Sequence, residues 1–200
     1  MTRLDALRAI YDRLGDAAVI TIMGGVAKEL QSLGHRPNFF YLQHAMGLAS
    51  SIGLGIAIAH PRQQVVVFDG DGSILMNLGA LTTMARYRPP NLAHVIFDNE
   101  SLLSIGGIPT ATAGRADLAA IAAAAGVPRT CCVRTLGAFT KAFATAMQAR
   151  TLTTIVAKVE PSGPASYDSD LTLLENRYEF RKWLVQRSSQ DGSDNKEFPG

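Results

Sequence analysis

Cysteine is scarce in this sequence. The 200 residues include two cysteines, the neighbours Cys131 and Cys132, in a segment whose composition favours a β-strand. Adjacent residues of a strand point to opposite faces of a sheet, so a disulfide between them is not expected. Two thiols also make too small a ligand set for a metal site. The cysteine content therefore predicts a reducing, cytoplasmic setting.

An excess of charge of either sign is missing as well. Nineteen Lys and Arg residues stand against seventeen Asp and Glu, which gives a net charge of +2 without a basic cluster. This balance excludes nucleic acid and anionic membrane surfaces as expected partners. The longest apolar run, residues 45–59, is too short to span a bilayer and is interrupted by Ser50 and Ser51, so it predicts a buried helix. The N-terminal segment lacks the apolar core of a signal peptide.

Apolar segments alternate with segments of helical spacing almost throughout the chain. Strands that are apolar along their length, each separated by a helix, are typical of a parallel sheet covered on both faces. We therefore predict an α/β fold, a three-layer α/β/α arrangement around a mostly parallel, doubly wound sheet. Residues 1–187 are expected to form this single domain, and residues 188–200 a disordered tail. The predicted strands are 17–22, 38–42, 65–69, 93–98, 130–134 and 153–159, and the predicted helices lie near 3–14, 25–33, 46–59, 75–87, 117–125, 136–149 and 171–187.

The segment VVVFDGDGSILMN (65–77) places an acid between two glycines at the end of a predicted strand. Gly70 and Gly72 allow a tight turn and expose N–H groups at a helix start, which suits a phosphate. Asp71 would repel that phosphate unless a divalent cation lay between them, as Mg²⁺ does in many sites. Two alternatives stay open: a tight turn with a surface Asp, and a dinucleotide site, although Leu75 stands where that fingerprint has its third glycine.

A second oxygen ligand is expected at the end of the next strand, where the sequence reads DNES. The 25 residues between Gly72 and Asp98 are enough for a helix and a parallel neighbouring strand. Asp71 and Asn99 would then lie side by side at the carboxyl edge of the sheet. Together with the Ser101 carbonyl, diphosphate oxygens and a water, they would complete the octahedral shell that Mg²⁺ prefers.

This two-part pattern, GDG and then DN, resembles the signature of thiamine-diphosphate-dependent enzymes. The resemblance extends over roughly residues 10–160 and is to the C-terminal, diphosphate-binding half of sulfopyruvate and phosphonopyruvate decarboxylases. It implies the thiamine-diphosphate-binding fold, with thiamine diphosphate and Mg²⁺ as cofactors. The segments that carry it are IMGGVAKEL (22–30), AMGLASSIGLGIAIA (45–59), GDGSILMNLGAL (70–81) and DNESLLSIGGIPT (98–110).

The resemblance also implies roles for individual residues. Asp71, Asn99 and the Ser101 carbonyl would hold Mg²⁺. Met46 would wedge the cofactor into a bent conformation and is, with His44, a predicted catalytic residue; the alternative for Met46 is ordinary filling of the core. The predicted cofactor-binding residues are Gly24, Gly25, His44, Ala45, Met46, Gly47, Gly70, Asp71, Gly72, Ser73, Asn99, Ser101 and Leu102.

His44 departs from the family pattern, since a glycine or another small residue is expected there. Its side chain either points away while its carbonyl contacts the aminopyrimidine ring, or reaches the substrate as a proton donor or an anion contact. The loop that contains Leu102, Leu103 and Ile105 is more apolar than a sulfonate or phosphonate substrate would favour. Which 2-oxo acid is the substrate therefore stays open.

The reaction implied by the resemblance is decarboxylation of a small 2-oxo acid to an aldehyde. In this family the glutamate that activates the cofactor comes from a pyrimidine-binding domain, and a chain of this length is expected to hold one domain only. We therefore predict the diphosphate-binding subunit of a two-subunit enzyme, a dimer or higher hetero-oligomer, with the activating Glu on a separate pyrimidine-binding subunit. Five glutamates of the chain are poorly suited to that role: Glu29, Glu100, Glu160, Glu175 and Glu179.

Two alternative functions share these sequence features. An acetolactate-synthase-like carboligase subunit would use the same cofactor half. A non-catalytic module that binds thiamine diphosphate, or that only scaffolds a complex, would also lack the activating Glu. In the two-subunit enzyme, the surface expected to face the partner comprises Met23, Met46, Leu102 and Leu103.

Overall fold

The computed structural model of the protein describes residues 1–168 and 170–190. Its strands follow the predicted segments closely, and a short hairpin is added between the fourth strand and the strand predicted at 130–134. The strands are β1 (Ala18–Thr21), β2 (Phe39–Tyr41), β3 (Val65–Gly70), β4 (Leu92–Asp98), β5 (Ser101–Leu102), β6 (Ile108–Pro109), β7 (Arg129–Val133) and β8 (Thr153–Lys158).

Six of these strands form one parallel sheet in the order β2-β1-β3-β4-β8-β7, while β5 and β6 pair as the antiparallel hairpin. The strand order reverses beside β1, as in a doubly wound sheet, so the predicted fold class is confirmed. The central strands β3 and β4 are buried along almost their whole length. The two-sided burial predicted for β7 is wrong, because β7 is an edge strand with exposed residues that include the free Cys132.

The helices cover both faces of the sheet, and several of their bounds differ from the predicted ones. The helix predicted from residue 46 begins at Ala49, because Gly47 has a positive φ angle of 86° that a helix cannot contain. The helix predicted at 75–87 is two helices. The helices are α1 (Arg3–Ile10), α2 (Gly25–Ser32), α3 (Ala49–Ala59), α4 (Asp71–Leu75), α5 (Gly79–Tyr87), α6 (Leu118–Ala124), α7 (Leu136–Gln148) and α8 (Leu173–Gln190).

The C-terminal helix α8 is longer than the sequence predicts. It continues to Gln190, so residues 188–190 are helical and do not belong to a disordered tail. The rest of the predicted tail, residues 191–200, lies outside the described residues. Across the described part of the chain, none of the helices has the length and apolar character needed to cross a membrane.

Aromatic and aliphatic packing fixes the two helical layers against the sheet. On one face, Phe68 of β3 lies with its ring centroid 5.7 Å from that of Phe97 and 6.4 Å from that of Phe143 on α7. Each such pair contributes about 0.5–1.5 kcal/mol beyond its buried area. On the other face, Gly53 of α3 packs directly on Val67, where a Cβ would collide with the valine side chain. This close packing holds the carboxyl ends of the strands in a fixed arrangement.

Helix α8 closes the sheet edge at β2. The side chain of Asn176 accepts a hydrogen bond from Tyr41 N over 3.0 Å and donates one to Phe39 O over 2.6 Å. Phe40 and Phe180 pack beside these bonds with ring centroids 5.3 Å apart. Asn176 is buried, and its amide pairs with the backbone of β2 as a neighbouring strand would.

Candidate functional site

Three corners of the chain meet at the carboxyl edge of the parallel sheet, as the sequence predicts. They follow β1, β3 and β4, and a fourth segment, residues 42–46, lies opposite them. Together they line a cavity of about 380 Å³. A crevice at this edge is the usual ligand site of doubly wound sheets. Of the thirteen predicted cofactor-binding residues, Ala45 and Gly47 are the two outside the cavity lining.

The corner after β1 is built from two glycines. Gly24 has a φ angle of 76°, which favours glycine, and α2 begins at Gly25. A Cβ at Gly25 would collide with the guanidinium of Arg3, so the backbone lies directly on that group. The first N–H groups of α2 lie at this turn and have no acceptor within the helix, which suits an anionic ligand.

Asp71 occupies the corner after β3, where it is the first residue of α4. It is 3% exposed, so the alternative of a tight turn with a surface Asp is wrong. Gly72 lies beside it, and a Cβ there would meet the end of the Leu102 side chain and lie 3.5 Å from Met46 Cε. The glycine thus leaves room for two apolar side chains at the cavity wall.

The electrostatic environment of Asp71 favours a cation. Burial raises the pKa of the Asp71 carboxyl above its ordinary value; hydrogen bonds from Thr110 and Thr112 oppose this shift, and the negative charge of Asp98 adds to it. The charged form is therefore less stable here than in water. A positive charge beside the carboxylate would offset that cost.

The corner after β4 brings the second predicted set of ligands to the same cavity. Asn99 Oδ1 accepts a hydrogen bond from Ser101 N over 3.2 Å, and Glu100 between them has a left-handed φ of 60°. This turn places Asn99 and Ser101 in the lining of the same cavity as Asp71.

The donor set fits a hard divalent cation with few protein ligands. No group of three or more His, Cys, Asp or Glu side chains in residues 1–168 and 170–190 is arranged to hold a metal ion. A cation at this corner would thus rely on one carboxylate, one amide oxygen, a backbone carbonyl and oxygens of a bound ligand. Mg²⁺ is commonly held in that way, together with substrate phosphates.

The segment before α3 is hydrogen-bonded to α4 and to the residues that follow it. Gly47 N donates to Ser73 Oγ over 3.0 Å, and Asn77 Nδ2 donates to Gly47 O over 2.9 Å. Met46 lines the cavity and is 36% exposed, so filling of the core does not explain it. His44 is exposed, and its left-handed backbone is the conformation that a glycine adopts most easily. The left-handed backbone at position 44 is therefore a physical reason why the family pattern favours glycine there.

Three side chains that the sequence did not predict surround Asp71 and Asp98. Thr110 Oγ1 donates to Asp71 Oδ2 over 2.6 Å, and Thr112 Oγ1 donates to Asp98 Oδ1 over 2.7 Å. Lys158 Nζ lies 2.8 Å from Asp98 Oδ2 and 2.7 Å from Glu100 Oε1. Although burial acts against the charge of Lys158, its hydrogen bonds to Asp98 and Glu100 raise its pKa.

None of the glutamates in the described part of the chain lines the cavity. Glu29 is buried and forms two hydrogen bonds with Arg3, of 2.8 and 2.9 Å. Glu100 is held by Lys158 at the rim. The remaining three, Glu160, Glu175 and Glu179, are exposed.

Comparison with known proteins places these features in a family context. Residues 23–157 match the family described as thiamine pyrophosphate enzyme, C-terminal TPP binding domain, thiamine pyrophosphate (TPP) being another name for thiamine diphosphate. The sulfopyruvate decarboxylase subunit beta of Methanocaldococcus jannaschii is 36% identical over 187 residues, which cover 93% of this chain and 98% of that subunit. The phosphonopyruvate decarboxylase of Streptomyces viridochromogenes is 42% identical over 147 residues, or 73% of this chain.

The two relatives differ in how much of them this chain covers. It spans 36% of the length of the phosphonopyruvate decarboxylase, but almost the whole of the sulfopyruvate decarboxylase subunit. Among solved structures, the thiamine diphosphate-dependent 4-hydroxybenzoylformate decarboxylase of Rhodococcus jostii RHA1 superposes with a TM-score of 0.66 at 22% identity. It matches 80% of this chain with 33% of its own. At that identity the likeness shows a shared fold.

Proposed function

The chain belongs to the thiamine pyrophosphate enzyme family, and we propose that it is the diphosphate-binding subunit of a thiamine-diphosphate- and Mg²⁺-dependent 2-oxo acid decarboxylase. The observation that carries the proposal is the meeting of three strand ends at one cavity. There an anion-binding glycine turn, Gly24–Gly25, lies together with a buried carboxylate and the amide of Asn99.

We assign the residues of the cavity by the chemistry of their groups. Asp71, Asn99 and the Ser101 carbonyl would hold Mg²⁺ between the protein and the diphosphate. Backbone N–H groups at Gly24, Gly25, Gly72 and Ser73 would bind the diphosphate itself. When bound, thiamine diphosphate supplies the nucleophilic carbon and the electron sink for loss of CO₂. The protein would contribute position and exclusion of water, and Met46 in the cavity lining would constrain the conformation of the bound cofactor.

The proposal includes a separate pyrimidine-binding subunit that supplies the activating Glu. Two observations support it: the described glutamates lie outside the cavity, and a relative of nearly equal length is named as a beta subunit. The cavity rim also exposes apolar side chains suited to a protein partner. Of the side chains predicted to face the partner, Met46 is 36% exposed, and the hairpin adds Ile105 at 60% and Ile108 at 54%.

The substrate class follows from the names of the relatives. We propose a 2-oxo acid that resembles sulfopyruvate or phosphonopyruvate. A carboligase subunit and a non-catalytic thiamine-diphosphate-binding or scaffold module are the competing functions. The carboligase and the cofactor-binding module would make the same use of the metal corner. They differ in whether CO₂ is released and in whether two substrate carbons are joined.

A test of this function begins with co-purification of the chain with the protein encoded by the adjacent gene. Calorimetric titration of the complex with thiamine diphosphate and MgCl₂ should show binding that depends on both. The complex should then release CO₂ from pyruvate, sulfopyruvate or phosphonopyruvate and form the aldehyde, whereas the chain alone should not. An acetolactate-type product would favour the carboligase, and binding without turnover would favour the module. Absence of any binding would defeat the assignment.

Replacement of His44 by glycine tests whether the imidazole acts on the substrate. A left-handed non-glycine residue carries a strain of about 1 kcal/mol, which the glycine relieves, so we expect His44→Gly to fold at least as stably. If the imidazole reaches the substrate, turnover of the assembled enzyme should fall and its substrate preference should change. Steady-state kinetics on the three 2-oxo acids measures both. Unchanged kinetics would show that the imidazole does not act on the substrate and that the role of His44 is confined to its backbone carbonyl.

A further inference from the structure

We propose that Thr110 is a positioning residue for the metal ligand Asp71, and that it fixes this carboxylate relative to Asn99 and Ser101. The inference rests on the proposed function, because it concerns the Mg²⁺ that would bind at this corner. It deepens that function by assigning the residue that orients the only carboxylate among the predicted ligands.

The hydroxyl of Thr110 donates to Asp71 and does not cap the turn that follows it. Thr110 is the N-cap of a single 3₁₀ turn, Ala111–Ala113, yet its side chain makes no capping hydrogen bond. A threonine at this position commonly caps the turn. Here Oγ1 donates to Asp71 Oδ2 over 2.6 Å instead. The bond takes up one carboxylate oxygen, while no side chain among the described residues donates to Asp71 Oδ1.

Thr110 also belongs to the same hairpin as two predicted ligands. Its N–H donates to Glu100 O over 3.1 Å, and Ser101 pairs with Pro109 at the base of the hairpin. The first strand of the hairpin therefore follows Asn99 and contains Ser101, and the second strand leads into Thr110, which bonds to Asp71. The hydrogen bond of Thr110 thus connects the corner after β3 with the corner after β4. The Thr110 hydroxyl makes the shorter of the two side-chain hydrogen bonds to Asp71 from this segment, 2.6 Å against 3.3 Å from Thr112.

Thr112 provides a matched comparison on the same turn. Its hydroxyl lies 2.7 Å from Asp98 Oδ1, its principal acceptor, and 3.3 Å from Asp71 Oδ2. It also lies 2.8 Å from Thr110 Oγ1. Lys158 contacts the other oxygen of Asp98. Loss of the Thr112 hydroxyl should thus affect Asp98 first and Asp71 to a smaller extent.

The experiment compares Thr110→Val, Thr110→Ser and Thr112→Val in the full chain co-purified with its partner. Thiamine diphosphate is titrated by calorimetry at a series of MgCl₂ concentrations. Thr110→Val should raise the Mg²⁺ concentration for half-maximal binding by about ten-fold, the scale seen when a group that orients a metal ligand is removed. Thr110→Ser keeps the hydroxyl and should stay within about two-fold of the wild type, and Thr112→Val should fall between them.

Two results would overturn the inference. A Thr110→Val complex that binds with the Mg²⁺ dependence of the wild type would remove Thr110 from the metal site and leave the proposed function intact. A wild-type complex that binds thiamine diphosphate without Mg²⁺ would refute the metal in the proposed function and the inference with it. Thr140→Val, on the exposed side of α7, controls for threonine replacement as such, because its hydroxyl donates within the helix. Thermal unfolding without MgCl₂ checks that each variant is folded.

Discussion

Replacement of Asp71 by alanine should abolish Mg²⁺-dependent binding of thiamine diphosphate while the chain stays folded. Asp71 is the one carboxylate among the predicted ligands, so its loss leaves a neutral amide and a carbonyl to hold a divalent cation against its hydration shell. Without the cation, the diphosphate loses its strongest electrostatic contact. The fold should survive, because burial disfavours the charged form of Asp71 and the empty protein gains little from it.

Calorimetry with thiamine diphosphate and MgCl₂ measures the loss, and circular dichroism with thermal unfolding measures the fold. Asp12→Ala is a suitable control, because the Asp12 side chain is fully exposed and is not among the residues that line the cavity. The control should bind like the wild type. If Asp71→Ala bound the cofactor with undiminished Mg²⁺ dependence, the metal would have to lie at another place and the assignment of this corner would be wrong.

Replacement of Arg3 by methionine should lower the free energy of unfolding by about 3–5 kcal/mol, the usual cost of leaving one member of a buried ion pair alone. Arg3 and Glu29 are 6% and 3% exposed and are joined by two hydrogen bonds. Methionine keeps most of the apolar volume, so the effect reports the uncompensated charge of Glu29. Urea denaturation monitored by circular dichroism gives the difference.

The double variant, with Arg3→Met and Glu29→Met, separates the lost partner from the lost packing. Because the buried charge is then absent, its free energy of unfolding should return to near the wild-type value. Arg8→Met is the matched control on α1, where the ion pair with Asp5 is exposed and the change should stay within about 0.5 kcal/mol. Equal stability of Arg3→Met and Arg8→Met would show that the Arg3–Glu29 pair adds nothing.

The sheet was predictable from the sequence because its central strands form mainly to bury apolar side chains on both faces. Val65–Phe68 and Val95–Phe97 are apolar on both faces, and only a strand covered by helices on both sides buries them fully. The start of α3 was not predictable in the same way. Residues 46–48 fit a helix by composition, but the backbone at Gly47 is left-handed, so that it can bond to Ser73 and Asn77. A tertiary contact there overrides the local preference.

The site was predictable as far as strand ends and glycines could indicate it. Asp71 and Asn99 each follow an apolar strand directly, and the carboxyl ends of neighbouring parallel strands must meet. Thr110 could not be found by this reasoning, because a hairpin returns it to Asp71 from 39 positions away. Arg3 reaches Glu29 and the glycine turn only because α1 packs against α2. Lys158 stands at the carboxyl end of β8, so the strand-end rule could have indicated it, once β8 was known to neighbour β4.

The amide of Asn176 has a consequence for self-association. Phe39 N donates to Arg36 O, and the Asn176 amide bonds to Phe39 O and Tyr41 N, so three of the backbone groups that an added strand would need on β2 are already used. Until α8 docks, Phe39 O and Tyr41 N are open to any extended segment of another chain. A chain that ends before Leu173 would keep the three corners that line the cavity, but β2 would expose unpaired backbone groups. We expect such a chain to aggregate and to give a lower yield of folded protein. Helix α8 thus protects the β2 edge of the sheet from pairing with another chain, at the edge opposite to β7.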